Sequence, residues 1–177
     1  MNIGVMYKIR SMLPLHALYA LYNTTILPHL NYCNLIWGRA SASLLKRLVV
    51  LQKQVVRLCT GSHYRAHTQD LFQRLGILPI SDLITFKTGI FMHNFSHNNL
   101  PPAFTNYFKC HNEIHSKNTR HQSNIYPSIF RTVRAQKQSM KFHGTNIWNS
   151  GIPETLKTLP LHRFKTKFRN FLTIPTP

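Results

Sequence analysis

The chain has 177 residues, 43% of them apolar, enough for one domain or two small ones with a hydrophobic core; this excludes a disordered basic tail. Its 22 Lys and Arg stand against 4 Asp and Glu, a net charge of +18, and no acid precedes Asp70. Such a balance destabilises a compact monomer unless a polyanion is bound; nucleic acid is the commonest such partner, with anionic membrane second.

Residues 2–11 read as a short helix, with Ile3, Met6, Ile9 and Leu13 at helical spacing. Pro14 ends it and opens a second helix over residues 15–37. There Leu18, Tyr22, Thr25, His29, Tyr32 and Ile36 share one face, Pro28 predicts a kink, and Gly38 is placed for a left-handed stop. The third helix is the clearest amphipathic element. Ser41 or Ser43 is its expected cap, and Gly61 lies just past its end. Its apolar stripe is Leu44, Leu48, Leu51, Val55 and Leu58, and Lys46, Lys53 and Arg57 fall almost opposite. After a linker at 62–67, a short helix over 68–75 stops at Gly76. Ser81 caps a further helix, residues 82–95, whose core side is Leu83, Phe86, Ile90 and Phe91. Asp82 sits in its first turn, where the helix dipole favours a negative charge.

Pro101 and Pro102 close that region, and residues 103–108 add a short helical turn. Residues 109–124 form a long polar loop. Residues 125–133 read as a strand, with Pro127 marking an edge, and 138–143 as its hairpin partner. Residues 144–149 make a helical turn carrying Trp148, and Pro153 opens another. The last helix, 160–172, sets Leu161, Phe164, Phe168 and Phe171 on one face, with Arg163, Lys165, Lys167 and Arg169 around the rest. The tail is expected to fray. The expected fold class is mainly α with a small β-hairpin (α+β), a bundle of about six helices.

The three cysteines, Cys33, Cys59 and Cys110, lie far apart. An odd, sparse set argues against a disulfide framework and fits a reducing compartment. Residues 1–15 hold no apolar core of signal-peptide type, so secretion is not expected; their basic, acid-poor character leaves a mitochondrial transit peptide as a minor alternative. Residues 11–38 carry no Lys, Arg, Asp or Glu and are long enough to span a bilayer. They also carry Asn23, Asn31, Asn34, His16, His29 and Pro28, which are costly in hydrocarbon. A helix buried in a soluble protein is therefore expected, with no membrane partner.

Phosphoryl transfer on two metals needs clustered carboxylates. Asp70, Asp82, Glu113 and Glu154 are a poor source, so no catalytic residue and no cofactor is expected. Neither a P-loop nor a nucleophile elbow is present. His111 and His115 have zinc-ligand spacing beside Cys110 and His121, but a second thiolate is missing; no metal is expected. Nucleic-acid binding is better supported. Lys46, Lys53 and Arg57 form either an ordinary solvated face or a phosphate-facing one, and the absence of alternating acids favours the second. Between Glu113 and Glu154 lie Lys117, Arg120, Arg131, Arg134, Lys137 and Lys141, interleaved with Tyr126, Phe130 and Phe142. Cations neutralise phosphates and aromatic rings stack on bases. Phe142 and Trp148 read as core; Tyr126 and Phe130 fit either role. No base-reading motif is visible, so binding should be sequence-tolerant and salt-sensitive.

Six segments form an ordered series: LYNTTILPHLNYCNLIWG at Leu21–Gly38, LGILPISDLITFK at Leu75–Lys87, LPPAFTNYF at Leu100–Phe108, Asn118-Thr119-Arg120, Trp148-Asn149 followed by Pro153, and LHRFKTKFRNFL at Leu161–Leu172. In order and spacing they resemble the C-terminal (thumb and downstream) region of non-LTR (LINE-type) retrotransposon reverse transcriptases. Gly151 departs from the pattern as an extra residue in the W-N-x-x-P turn. The resemblance implies that residues 1–61 are thumb-like helices gripping a template–primer and that 62–177 are the downstream domain. The paired palm aspartates of the family have no counterpart here. The chain begins at Met1 inside what looks like a continuing helix, as a truncated copy would. The expectation is a non-catalytic fragment of an RNA-directed DNA polymerase that binds RNA or DNA through a basic surface, with the missing polymerase core as a further partner and a nuclear or cytoplasmic location. The alternative is a basic structural RNA-binding protein of a ribonucleoprotein particle.

Overall fold

A computed structural model describes residues 2–114, 124–128 and 130–173. The chain is mainly helical. Among the described residues there are nine α-helices of five residues or more, and no β-strand: α1 (Asn2–Ile9), α2 (Leu15–Leu21), α3 (Leu27–Asn31), α4 (Ala42–Thr60), α5 (Gln69–Leu75), α6 (Ile80–Ser96), α7 (Val133–Gln138), α8 (Met140–Asn146) and α9 (Leu161–Thr173). They build two compact units, Met1–Ile84 and Thr85–Pro177. The division lies further along than residue 61, because Leu71, Phe72 and Ile77 pack into the same core as Val55, Val56 and Cys59.

In the first unit the long helix expected over residues 15–37 is broken twice. A π turn, Tyr22–Ile26, precedes α3, and Pro28 sits in the first turn of α3, where its missing N–H is not needed. The Thr24 and Thr25 hydroxyls donate to the carbonyls of Ala20 (2.9 Å) and Leu21 (2.6 Å) around the widened turn. The second break is at Tyr32, which is extended, and Cys33, which is left-handed at φ 47°. The Trp37 indole N–H spans it by donating to the Tyr32 carbonyl at 2.7 Å. Tyr32 and Ile36, expected on one face with Leu18 and Tyr22, are exposed while those two are buried. Gly38 is not a left-handed stop. Its φ is −62°, and it is glycine because a Cβ would lie 2.6 Å from the Asn34 carbonyl oxygen. Gly61 does end α4 in the left-handed region, at φ 64°. Ser41 stands at the N-cap of α4 but makes no side-chain cap bond, and Ser81 is not a cap. The Ser41 hydroxyl meets that of Ser43 at 3.0 Å, and Ser81 lies inside α6 and donates to Asp82.

The second unit is built on aromatic rings. Phe164 and Phe168 of α9 are fully buried among Met92, Phe108, Trp148 and Ile152. A Cβ on Gly89 of α6 would overlap the Phe168 ring, so glycine there is what lets α9 approach. Among the described residues the expected hairpin does not form. Residues 133–138 and 140–146 are helical, with the Thr132 and Ser139 hydroxyls accepting the backbone N–H of Ala135 (3.2 Å) and Lys141 (3.1 Å) as helix caps. The Ser139 cap starts a helix where the hairpin partner, residues 138–143, is expected. Ile125 instead makes one antiparallel bridge to Cys110. The Asn149 side chain fixes it by donating to the Ile125 carbonyl at 2.8 Å and accepting its N–H at 3.3 Å.

Candidate nucleic-acid interface

The α4 bases follow from helix geometry. Lys46 and Lys53 are exposed, two turns apart on one side, and neither is ion-paired among the described residues. Arg57 lies one turn beyond Lys53 but is half-buried. Its Nε–H donates to the Ala66 carbonyl at 3.0 Å, which ties the end of α4 to the loop at 61–67. The apolar face of α4 is not the expected one. Gln52, Val55, Val56 and Cys59 are buried, whereas Leu44 and Leu51 are 54% and 42% exposed. At about 100° per residue, the buried face is turned by about 70° from the leucine stripe. Lys46 and Lys53 remain outside it.

In the second unit Arg131 is exposed. Lys141 is half-buried, with its ammonium 4.7 Å from the Tyr107 ring centroid, so it is engaged as a cation over a π face. Lys117 and Arg120 lie outside the described residues, as do the side chains of Arg134 and Lys137. Of the interleaved aromatics, Trp148 is core, while Tyr126, Phe130 and Phe142 are half-buried; Tyr126 packs against the His111 ring at 5.1 Å.

The acids are scattered. Asp70 and Glu113 are exposed. Asp82 is half-buried, and burial raises its carboxyl above the usual range, partly offset by the Ser81 hydroxyl. Glu154 accepts from Lys157 at 2.6 Å, the one ion pair among the described residues. No group of three metal-ligating side chains occurs among those residues. Cys110 is half-buried, its thiol raised by burial and then by the Glu113 charge, while His115 and His121 lie outside. Among the described residues no single helix is long and apolar enough to cross a membrane.

Three cationic features lie outside the site residues expected from sequence. Arg39 is half-buried without an acid. Burial pulls its guanidinium down to about 10, and its Nε has no partner among the described residues. Nothing local in the sequence signals that. Lys87 of α6 is brought beside Lys165 of α9, and burial and that like charge both lower its ammonium. This pairing is long-range and not visible in one sequence. The bases of α9 itself, Arg163, Lys165, Lys167 and Arg169, are all exposed. They are legible as a cationic helix. No protein-family model, curated protein or solved structure matches the chain.

Proposed function

We propose that the chain is a non-catalytic nucleic-acid-binding segment corresponding to the thumb and downstream region of a non-LTR retrotransposon reverse transcriptase. The observation that carries the binding reading is the excess of exposed cations over acids. Lys46, Lys53 and Arg131 reach solvent, and a single ion pair, Lys157 to Glu154, occurs among the described residues. A protein at net +18 gains most from a partner that supplies closely spaced negative charge. The ordered segments from Leu21 to Leu172 and the mainly helical fold support the polymerase origin. Binding is sequence-tolerant, because the exposed groups are phosphate-seeking cations and no base-reading motif accompanies them. RNA and DNA of template–primer type are both suitable partners.

The test is titration of a labelled primer–template with the purified chain at several salt concentrations. Affinity is expected to fall by roughly 10³ or more between about 50 and 200 mM salt if six or more phosphates are neutralised. A flat salt response refutes the reading. The same preparation, given primer–template and nucleotides, is expected to show no template-dependent synthesis, since four scattered acids offer no two-metal site. Detectable synthesis refutes the non-catalytic assignment.

A further inference from the structure

Helix α9 carries two cationic edges on a rigid support. Phe164 and Phe168 are 0% exposed and hold one side of the helix in the aromatic core. Arg163 and Lys167, one turn apart, run along one edge, and Lys165 and Arg169, also one turn apart, run along the other. All four are exposed, and the helix holds no acid. Half-buried Lys87 of α6 adds a fifth cation, its ammonium lowered first by burial and then by the Lys165 charge. Holding like charges together costs free energy that a bound polyanion recovers. One turn beyond Lys167, on the same edge, Phe171 is 43% exposed, unlike the other two phenylalanines of the helix. Arg163, Lys167 and Phe171 thus form a line of two cations and one accessible ring.

We infer that α9, with Lys87, is a binding ridge for a single-stranded polynucleotide, its cations on successive phosphates and Phe171 against a base. The inference rests on the reading that the chain binds nucleic acid, and it assigns the contact to residues outside the set expected from sequence. One-turn spacing brings Cβ atoms to about 5–6 Å, comparable with the separation of neighbouring phosphates along a strand. The half-exposed ring favours a single strand, because stacking needs an unpaired base. An anionic membrane is the less suitable polyanion. A basic helix lies in a lipid interface by inserting its apolar face, and here Phe164 and Phe168 already occupy that face in the core.

The experiment is fluorescence anisotropy of a labelled oligothymidylate against the full chain and three variants, R163Q/K165Q/K167Q/R169Q, F171A and K46Q/K53Q. Circular dichroism checks that each is folded. The fourfold variant is expected to lose at least tenfold in affinity, and its log–log salt slope should shrink by about 3, four contacts at ~0.7 each. F171A is expected to lose about fivefold on the oligothymidylate, within the range for one stacked base, and to leave a duplex of equal charge unaffected. A second readout uses the unaltered chain: oligothymidylate should protect Lys165 and Lys167 from acetylation. Loss of binding in K46Q/K53Q alone, with Lys165 and Lys167 unprotected, overturns the ridge and leaves nucleic-acid binding standing. No salt-dependent binding of any polynucleotide by the unaltered chain overturns both. Tighter binding to anionic phospholipid vesicles than to the oligonucleotide, abolished by the fourfold variant, also overturns the ridge as assigned.

Discussion

Helices α4 and α9 look alike in sequence, each with an apolar stripe and a cationic remainder, yet they bury themselves differently. In α9 the expected face is the buried one for Phe164 and Phe168, and only the terminal Phe171 escapes. In α4 the expected leucine stripe is half in solvent, and a polar residue, Gln52, is inside. The difference lies in what each helix must satisfy. Around α9 the neighbours are mainly rings and methyl groups, and the polar one, His93, meets it through its ring face, so apolar area sets the rotation. Beside α4 runs the backbone entering α6. The Gln52 carbonyl accepts the Ile80 N–H at 3.0 Å, and its amide donates to the Leu78 carbonyl at 2.9 Å and to the Tyr22 hydroxyl at 3.3 Å. Backbone groups buried without partners cost more than a leucine edge left in water.

The largest expected effect contrasts the two apolar faces directly. Phe168→Ala should lower the unfolding free energy by about 3–5 kcal/mol, the usual range for emptying a buried aromatic site. Leu51→Ala should stay within about 0.5 kcal/mol, as surface changes do. Urea unfolding followed by circular dichroism reads both. Equal losses at the two positions would mean that the α4 leucine edge is covered, and the comparison would fail.

Next in size is Gln52 itself. Gln52→Leu extends the apolar face that sequence periodicity favours, so a reading based on hydrophobicity predicts a gain. The structure predicts a net loss of about 2–4 kcal/mol, because the Ile80 N–H and the Leu78 carbonyl both lose their side-chain partner, at ~1–3 kcal/mol each, partly offset by the apolar area the leucine buries. A neutral or stabilising result in the same urea experiment would show that Gln52 does not set the rotation of α4.

These residues mark where the sequence was informative. Periods of 3.6 residues place α1, α4, α5, α6 and α9 well, since each is a local pattern closed by a local stop, as at Gly61 and Gly76. Tertiary partners decide the rest. Pro28 reads as a kink in one helix, but the threonine hydroxyls and the left-handed Cys33 divide that helix into pieces. Residues 125–133 and 138–143 read as a hairpin, but Thr132 and Ser139 cap helices over Val133–Gln138 and Met140–Asn146. Of the expected cationic site, Lys46, Lys53 and Arg131 are exposed, whereas Arg57 and Lys141 are engaged within the protein. Charge is legible in composition. Which charges stay available depends on contacts between distant residues, and Lys87 beside Lys165 is one of these.

The smallest effect separates the two cores by pH. The buried polar residue facing α9 is His93, 1% exposed and stacked on Phe164 at 4.4 Å. Its Nε2 lies 2.8 Å from the Leu159 carbonyl, so Nε2 carries the proton, and Nδ1 is buried with no partner among the described residues. Burial lowers its pKa below the ordinary 6.5; the Leu159 carbonyl opposes this, and His97, stacked at 4.1 Å, adds to it. The folded form therefore binds a proton less readily than the unfolded chain. The stability contributed by neutral His93 is complete above about pH 6.5 and is lost as pH falls through the lower folded value. Gln52, the buried polar residue of α4, does not titrate. Trp148 reports on the second unit and Trp37 on the first, so single-tryptophan variants W37F and W148F can be unfolded in urea at pH 7.5 and 5.5. The Trp148 transition should move to lower urea on acidification, the Trp37 transition should move less, and His97→Gln should reduce the Trp148 shift by removing a like charge. Equal movement of the two transitions would mean that His93 does not govern the acid response of the second unit.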